Sequence, residues 1–239
     1  AARTGDGAGL TAALARATTR LPFQRWAPFL SNHDQTRAMS VLAGNRDRAR
    51  VAATALLTLP GLPFMYYGEE IGMQGEKPDE RIRTPMQWNG QQNAGFTGGQ
   101  PWEALQSDAA QVNVAAENAN PASLLNEYRQ MIRLHTSTPA LAQGTFTPLD
   151  VSGTPGVSLF LRKAGDSAVL VVLNFGEQPL TAATASTSTS DLMPGQYQLR
   201  PLHGASSTGT ITVGEGGSVT DMAVPPVAAL TGAVFAIQP

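Results

Sequence analysis

The chain has 239 residues, enough for one large domain or two smaller ones with a substantial buried core. Sixteen Lys and Arg against eighteen Asp and Glu leave a net charge of −2, which excludes the basic footprint of a nucleic-acid or anionic-membrane binder and suits a neutral partner such as a sugar. With no cysteine, disulfides, thiol nucleophiles and zinc-thiolate sites drop out.

In chain order, residues 10–15 (Leu-Thr-Ala-Ala-Leu-Ala) read as helix, and residues 25–30 as a strand that opens into Asn32-His33-Asp34. After Asn45, a capping residue, the Ala- and Leu-rich run 46–57 reads as a helix that Pro60 and Pro63 end. Residues 62–67 are apolar and aromatic and stop at Gly68, as expected for a buried parallel strand. From residue 72 to 120 the composition turns to Gly, Gln, Asn and Pro; so long an excursion implies a task, such as forming the rim of an active site.

Asn120-Pro121 is then expected to start a helix whose Leu124, Leu125, Tyr128, Met131 and Ile132 form one core-facing stripe. Beyond Pro139 the pattern changes to short strands at 157–161, 168–175, 197–199 and 233–237, separated by Gly-, Ser- and Thr-rich turns, the pattern of an antiparallel β-sandwich. The Ala-, Ser- and Thr-rich stretch 181–190 is expected to be a polar strand or loop within it. No apolar run reaches the length of a membrane span, and residues 1–5 read without a signal-peptide core, so location is not legible; the lack of Cys is compatible with a secreted or periplasmic protein.

A carboxylate and an imidazole at a strand end, Asp34 and His33, form an arrangement for handling a polar substrate, since the strand fixes side-chain direction and the loop leaves room for a ligand. The plainer alternative is a turn, with Asn32 and Asp34 capping amides and His33 packed as a core histidine. Glu69 and Glu70 invite a catalytic pair, yet adjacent side chains point apart, and a supporting role is expected. No phosphate loop, Gly-x-Ser-x-Gly elbow or His-Glu-x-x-His site occurs, and His135 and His203 read as helix-end or surface residues.

Several segments carry a resemblance in common: Asn32-His33-Asp34-Gln35-Thr36-Arg37, then Pro63-Phe64-Met65-Tyr66-Tyr67-Gly68-Glu69-Glu70, then Arg83-Thr84-Pro85-Met86-Gln87-Trp88. Asn93-Ala94-Gly95-Phe96-Thr97, Pro101-Trp102 and Val112-Asn113-Val114 continue it. In this order and spacing, over roughly residues 20 to 175, the chain resembles the last part of the catalytic barrel of the α-amylase family of glycoside hydrolases, family 13. The resemblance implies the end of a (β/α)8 barrel over residues 1–138, from strand seven to helix eight, followed by a C-terminal antiparallel β-sandwich over 139–239.

Such enzymes cleave with retention, using a nucleophilic carboxylate and a second carboxyl as general acid and base, roughly 5 Å apart. By resemblance Asp34 is a third, assisting carboxylate that binds sugar hydroxyls beside the cut and stabilises the transition state, with His33 bonded to the same sugar. Arg37 is expected to face the substrate cleft, the alternative being a surface ion pair, and Arg83 and Trp88 to line outer subsites, though a Trp in such a loop is as often a packing anchor; Asn32 shapes the turn. No segment matches the nucleophile or the acid, which belong to earlier strands, so this chain alone is expected to be inactive. The remainder of the barrel is its expected partner, and an α-glucan or malto-oligosaccharide the substrate. No cofactor is expected in this chain, with calcium an expectation only for the intact enzyme.

The substrate expected from the resemblance is an α-1,4-glucan. Asp34-Gln35-Thr36-Arg37 and the Arg83–Trp88 segment also lean toward oligo-1,6-glucosidases and α-glucosidases, with trehalose synthase-type transglycosylases as neighbours. A reading of another class is a non-catalytic starch-binding module that folds from about Pro139 onward and stacks sugar on exposed aromatics drawn from Phe146, Phe160, Phe175, Tyr197 and Phe235.

Overall fold

The structure is a computed structural model and describes residues 1–22 and 25–239. Helix α1 (Gly7–Thr18) is capped by Asp6, whose carboxylate accepts from Gly9 N at 2.8 Å, and it docks on the β-domain through a 2.7 Å Thr11–Ser158 hydroxyl pair. The short α2 (Ala38–Val41) follows the Asn-His-Asp loop, and α3 (Arg46–Thr58) starts where the Asn45 side chain accepts from Asp47 N and Arg48 N at 3.1 and 3.0 Å. Helix α3 then buries nearly every residue from Val51 on, because it is covered on two sides.

The segments before and after α3 run parallel, with Leu62 N bonded to Trp26 O at 2.9 Å and Phe64 N to Pro28 O at 2.8 Å, and they meet in one parallel bridge, Phe29 to Phe64. The full strands expected at 25–30 and 62–67 are therefore reduced to a single bridge. Pro28, Pro60 and Pro63 cannot donate to a ladder, and no further strand of this chain flanks the pair among the described residues. Phe29, Leu62 and Phe64 stay largely exposed on it.

The excursion from residue 72 holds only α4 (Asp79–Ile82), a 3-10 turn (Gln92–Gly95) and α5 (Val114–Ala119). Helix α6 (Leu124–Ser137) is capped by Ser123, whose Oγ accepts from Asn126 N at 3.2 Å. The start expected at Asn120 is three residues early, since Asn120 instead closes α5 and bonds Ala122 N in a local turn. Leu124, Leu125, Tyr128 and Met131 are buried as expected, while Ile132 lies on the shoulder of the stripe and is exposed.

After α7 (Pro139–Gln143), nine antiparallel strands follow: β1 (Thr145–Pro148), β2 (Asp150–Val151), β3 (Val157–Ala164), β4 (Ser167–Asn174), β5 (Thr184–Thr187), β6 (Gly195–His203), β7 (Gly209–Val213), β8 (Val219–Ala223) and β9 (Thr231–Gln238). They form a six-stranded sheet in the order β1-β3-β4-β9-β6-β7 and a three-stranded sheet β2-β5-β8. The polar stretch 181–190 contributes β5, so the strand alternative applies there.

Side chains of β4 alternate between two cores. Leu170 and Val172 face the smaller sheet, whereas Val169, Val171 and Leu173 join Phe160 and Val234 against α3 and α6. The β3, β4 and β9 part of the large sheet is thus buried on both faces, which is why β4 reads as an unbroken apolar run, whereas β6 and β7 alternate buried and exposed residues. Close approach at this seam requires Gly232, where a Cβ would lie 2.5 Å from Thr54 Cγ2 of α3.

Arg162 of β3 rivets the same layers. Fully buried, it donates to Thr145 O at 2.9 Å, Thr58 O at 2.5 Å, Leu141 O at 3.1 Å and Gly144 O at 3.0 Å, and burial lowers its pKa to about 10. His203, expected at the surface, instead sits 2.7 Å from Glu127 of α6 and is mostly covered, because it is the last residue of β6 and that strand end meets the helix. His135, near the end of α6, bonds Leu57 O at 2.9 Å. Among the described residues, no helix is long and apolar enough to cross a membrane.

Candidate active site

The loop between the Phe29 bridge and α2 carries the sequence-predicted site. Asn32 Oδ1 accepts from Asp34 N at 2.9 Å, a local turn that presents the His33 and Asp34 side chains to solvent, with His33 Nε2 3.3 Å from Asp34 Oδ2. Arg83, 49 residues away in sequence, clamps this loop from outside. Its Nη2 donates to Asp34 Oδ1 at 3.0 Å and to Asp79 Oδ2 at 2.7 Å, and its Nε donates to His33 O at 2.9 Å. Asp34, His33 and Arg83 are therefore brought together, and Asp79 joins them.

Arg83 is itself held from both sides. Tyr66 OH donates to Ile82 O at 3.2 Å and Tyr67 OH to Thr84 O at 2.7 Å, so consecutive tyrosines at the end of the parallel segment grip the carbonyls flanking Arg83. The two rings meet edge to face at 4.7 Å. Burial, with Tyr67 beside it, pushes the Tyr66 phenol up to about 12, so it stays a neutral donor.

Beneath the tyrosines lies Arg37, at 0 % exposure. Its guanidinium is 4.6 Å from both ring centroids, Nη1 donates to Tyr67 O at 2.6 Å, and its backbone N–H bonds Gly75 O at 2.9 Å. Nε and Nη2 have no partner among the described residues, and burial lowers the pKa. In this chain Arg37 therefore reaches the loop through Tyr66 and Tyr67 and Arg83, with no opening of its own onto solvent.

Glu69 and Glu70 occupy a 3-10 turn between Gly68 (φ 83°) and Gly72 (φ 79°), left-handed positions that suit glycine. Glu69 points inward, accepting from Ser31 Oγ and from Tyr66 N at 3.3 Å; burial pushes its carboxyl up to about 7 against those bonds and Arg37. The two acids do point apart. Glu70, also raised by burial, faces a cavity of about 370 Å³ whose other walls include Tyr67, Arg83, Trp88, Phe96 and Trp102.

Glycosidic cleavage with retention needs a carboxyl that can give up a proton near a carboxylate nucleophile. Asp79 shares the Arg83 guanidinium with Asp34, and Lys77 first, then Arg83, hold its carboxyl below the ordinary carboxylate range, which favours the ionised form over the acid. Asp34 itself is ion-paired and solvent-facing, suited to accepting hydrogen bonds from sugar hydroxyls. Among the described residues, no three His, Asp or Glu side chains converge as a metal site.

Sequence reasoning did not single out Asp79, Tyr66 or Tyr67 as parts of the site. Asp79 and Arg83 stand four residues apart on one short helical turn, a spacing that pairs opposite charges, so this one link was available. The tyrosines left no such signal, because their hydroxyls act on carbonyls some sixteen residues ahead.

Comparison with known proteins accords with this arrangement. The family profile described as "Alpha amylase, catalytic domain" matches residues 4–144. The chain is 32% identical over 148 residues to Alpha-amylase 3 of Dictyoglomus thermophilum, covering 62% of this chain and 30% of that protein. It is 30% identical over 191 residues to an oligo-1,6-glucosidase of Parageobacillus thermoglucosidasius, covering 63% of this chain and 34% of that protein. The crystal structure of an α-amylase from H. orenii superposes with a TM-score of 0.72 at 29% identity, covering 99% of this chain and 46% of that one. The chain thus spans about a third of the length of these two curated relatives. It belongs to the α-amylase family of glycoside hydrolases, as the end of a (β/α)8 barrel followed by an antiparallel β-sandwich.

Proposed function

We propose that this chain is the C-terminal part of a retaining α-glucan hydrolase that cleaves α-1,4-glucosidic bonds of starch or malto-oligosaccharides. Residues 1–138 complete the barrel and 139–239 form the β-sandwich. The observation that carries this reading is the Arg83 fork, which fixes a solvent-facing Asp34 and His33 at the end of a parallel segment, where barrel enzymes keep their catalytic groups. Asp34 binds sugar hydroxyls and stabilises the oxocarbenium-like transition state; His33 bonds the same sugar. Arg83 positions both, and Arg37 supports the tyrosines that hold Arg83.

The nucleophile and general acid come from the remainder of the barrel, which is the partner of this chain. Its seat is the exposed parallel pair carrying Phe29, Leu62 and Phe64, an edge that an open barrel leaves unpaired. By itself the chain is inactive. Neither oligo-1,6-glucosidase nor transglycosylase action has an observation of its own here, since the residues that decide linkage line the missing part of the cleft. A starch-binding module is less well supported: Phe160, Phe175 and Phe235 are buried, and Phe146 and Tyr197 are partly buried against the two cores, which leaves little aromatic surface on the sandwich for stacking.

The test is hydrolysis of maltotriose, isomaltose and trehalose by the protein that carries this chain together with the rest of the barrel. Release of glucose from maltotriose, reduced by about a hundredfold or more in Asp34→Asn, is the expected result. Unchanged turnover in Asp34→Asn refutes the role of Asp34, and turnover of isomaltose alone refutes the linkage.

A further inference from the structure

Asp34 is held along two routes, and one buried group belongs to both. Along the loop, the buried Ser31 precedes Asn32, whose side chain accepts from Asp34 N. Through the clamp, Tyr66 OH holds Ile82 O, next to the Arg83 that donates to Asp34 Oδ1 and to His33 O. Glu69 bonds the start of each route. Its Oε1 accepts from Ser31 Oγ and its Oε2 from Tyr66 N at 3.3 Å, so a single carboxylate ties the loop that carries Asp34 to the residue that steadies its arginine.

The turn is built for this placement. The left-handed Gly68 and Gly72 bracket Glu69–Ile71 in one 3-10 turn, which aims the first acid inward. A Cβ at Gly68 would lie 3.1 Å from Arg37 Nη1, so the same glycine makes room for the guanidinium. Arg37 is fully buried, Nε and Nη2 lack partners among the described residues, and the charge of Glu69 favours its protonated form. The other titratable groups around Glu69 are Tyr66, Tyr67 and Glu70 of its own segment and Tyr128 of α6. Burial first, then the two glutamates, push the Tyr128 phenol well above its usual range, so it stays neutral.

The two protonation states of Glu69 do not hold these groups alike. The carboxylate accepts from both donors in charge-assisted bonds and supplies the buried Arg37 with a nearby anion. Protonation turns one oxygen into a donor, so Ser31 Oγ has to rotate to accept, and Arg37 loses that anion. With the carboxyl raised to about 7, mainly by burial, the exchange falls at neutral pH. We propose that Glu69 is a positioning residue whose proton state sets how firmly Asp34 and Arg83 are held together, ionised for the tight arrangement and protonated for the loose one. This rests on the role given to Asp34 above.

The test uses the protein that carries this chain together with the rest of the barrel, with maltotriose turnover followed from about pH 5.5 to about pH 8.5 in the parent and in Glu69→Gln. The variant, fixed in the uncharged form, should match the parent within about twofold at the acid end and fall about tenfold below it at the alkaline end, in kcat rather than KM. The ratio of the two profiles cancels His33, the nucleophile and the general acid, which both proteins share. In a Ser31→Ala background, where the link to the loop is gone, the same change should alter the ratio by less than about threefold across the range. A ratio constant with pH overturns the proposal, as does an undiminished pH effect without Ser31. A second measurement needs no Glu69 variant. In His33→Gln protein labelled with 15N-aspartate, where the neighbouring imidazole is absent, the Asp34 amide should shift with a midpoint near 7, and a stationary amide overturns the coupling. The two proposals fail separately. An Asp34 amide that follows Glu69 in a protein without maltotriose turnover leaves the coupling standing and removes the hydrolase reading, whereas Asp34-dependent hydrolysis with a flat ratio does the reverse.

Discussion

Replacing Glu69 by Gln should alter how stability depends on pH. Glu69 is 5% exposed, bonded to Ser31 Oγ and Tyr66 N, and its carboxyl is raised from an ordinary 4.5 to about 7, mainly by burial. In the unfolded chain the proton leaves near 4.5; in the folded chain it stays until about 7. Between those values the folded state binds the extra proton, so each unit of rising pH favours unfolding by roughly 1.4 kcal/mol. The stability from this group is fully present below about 4.5 and lost as pH rises through about 7, a total near 3 kcal/mol to within a factor of about two. The amide of the Glu69→Gln variant has no proton to lose; its single oxygen can accept from Tyr66 N while its NH2 faces Ser31 Oγ, which can turn to accept, a change that is the same at every pH. Urea unfolding of both proteins from about pH 4.5 to about 8 measures the difference directly, and subtraction removes Glu70 and the other titrating groups common to both. Across that range the variant should gain about 3 kcal/mol relative to the parent, or roughly 6–12 °C in thermal midpoint for a chain of this size. Parallel profiles for the two proteins would refute the argument, and a parent that gains stability as pH rises while the variant does not would reverse its sign.

Two other perturbations probe the joined layers. Arg162→Met removes four hydrogen bonds to carbonyls at the ends of α3, α7 and the start of β1, leaving those acceptors buried, and should cost about 3–5 kcal/mol in chemical denaturation; a loss below about 1 kcal/mol would mean water replaces the guanidinium. A fragment of residues 139–239 would bare Phe160, Val169, Val171, Leu173 and Val234, five side chains worth roughly 10 kcal/mol of burial, and should bind a hydrophobic dye and self-associate in analytical ultracentrifugation; a monomeric, cooperatively melting fragment would contradict the two-sided burial of the sheet.

Local chemistry was enough to read several parts of this protein from its residues. The Asn45 cap and the Ala- and Leu-rich run after it specify α3, the apolar runs specify β3 and β4, and the Asn32-His33-Asp34 turn is closed by its own side chain. The motif order from Asn32 to Trp102 was enough to indicate the family, because those motifs follow one another closely along the chain. What the tertiary structure decided involves partners far apart in the chain. Arg83 finds Asp34 across 49 residues, and Tyr66 and Tyr67 reach forward to the carbonyls beside it. Arg37, expected in the cleft, is covered because the two tyrosine rings close over it, and Ile132 misses the core because the stripe of α6 is narrower than its spacing implies. Glu69 and Glu70 are neighbours in sequence that differ in fate because one turns under Ser31 and the other toward the aromatic cavity. Side-chain type and short-range spacing determine caps, turns and runs, whereas burial and charge pairing depend on which distant segments pack together, and that is settled only when α3 and α6 close against the sheet.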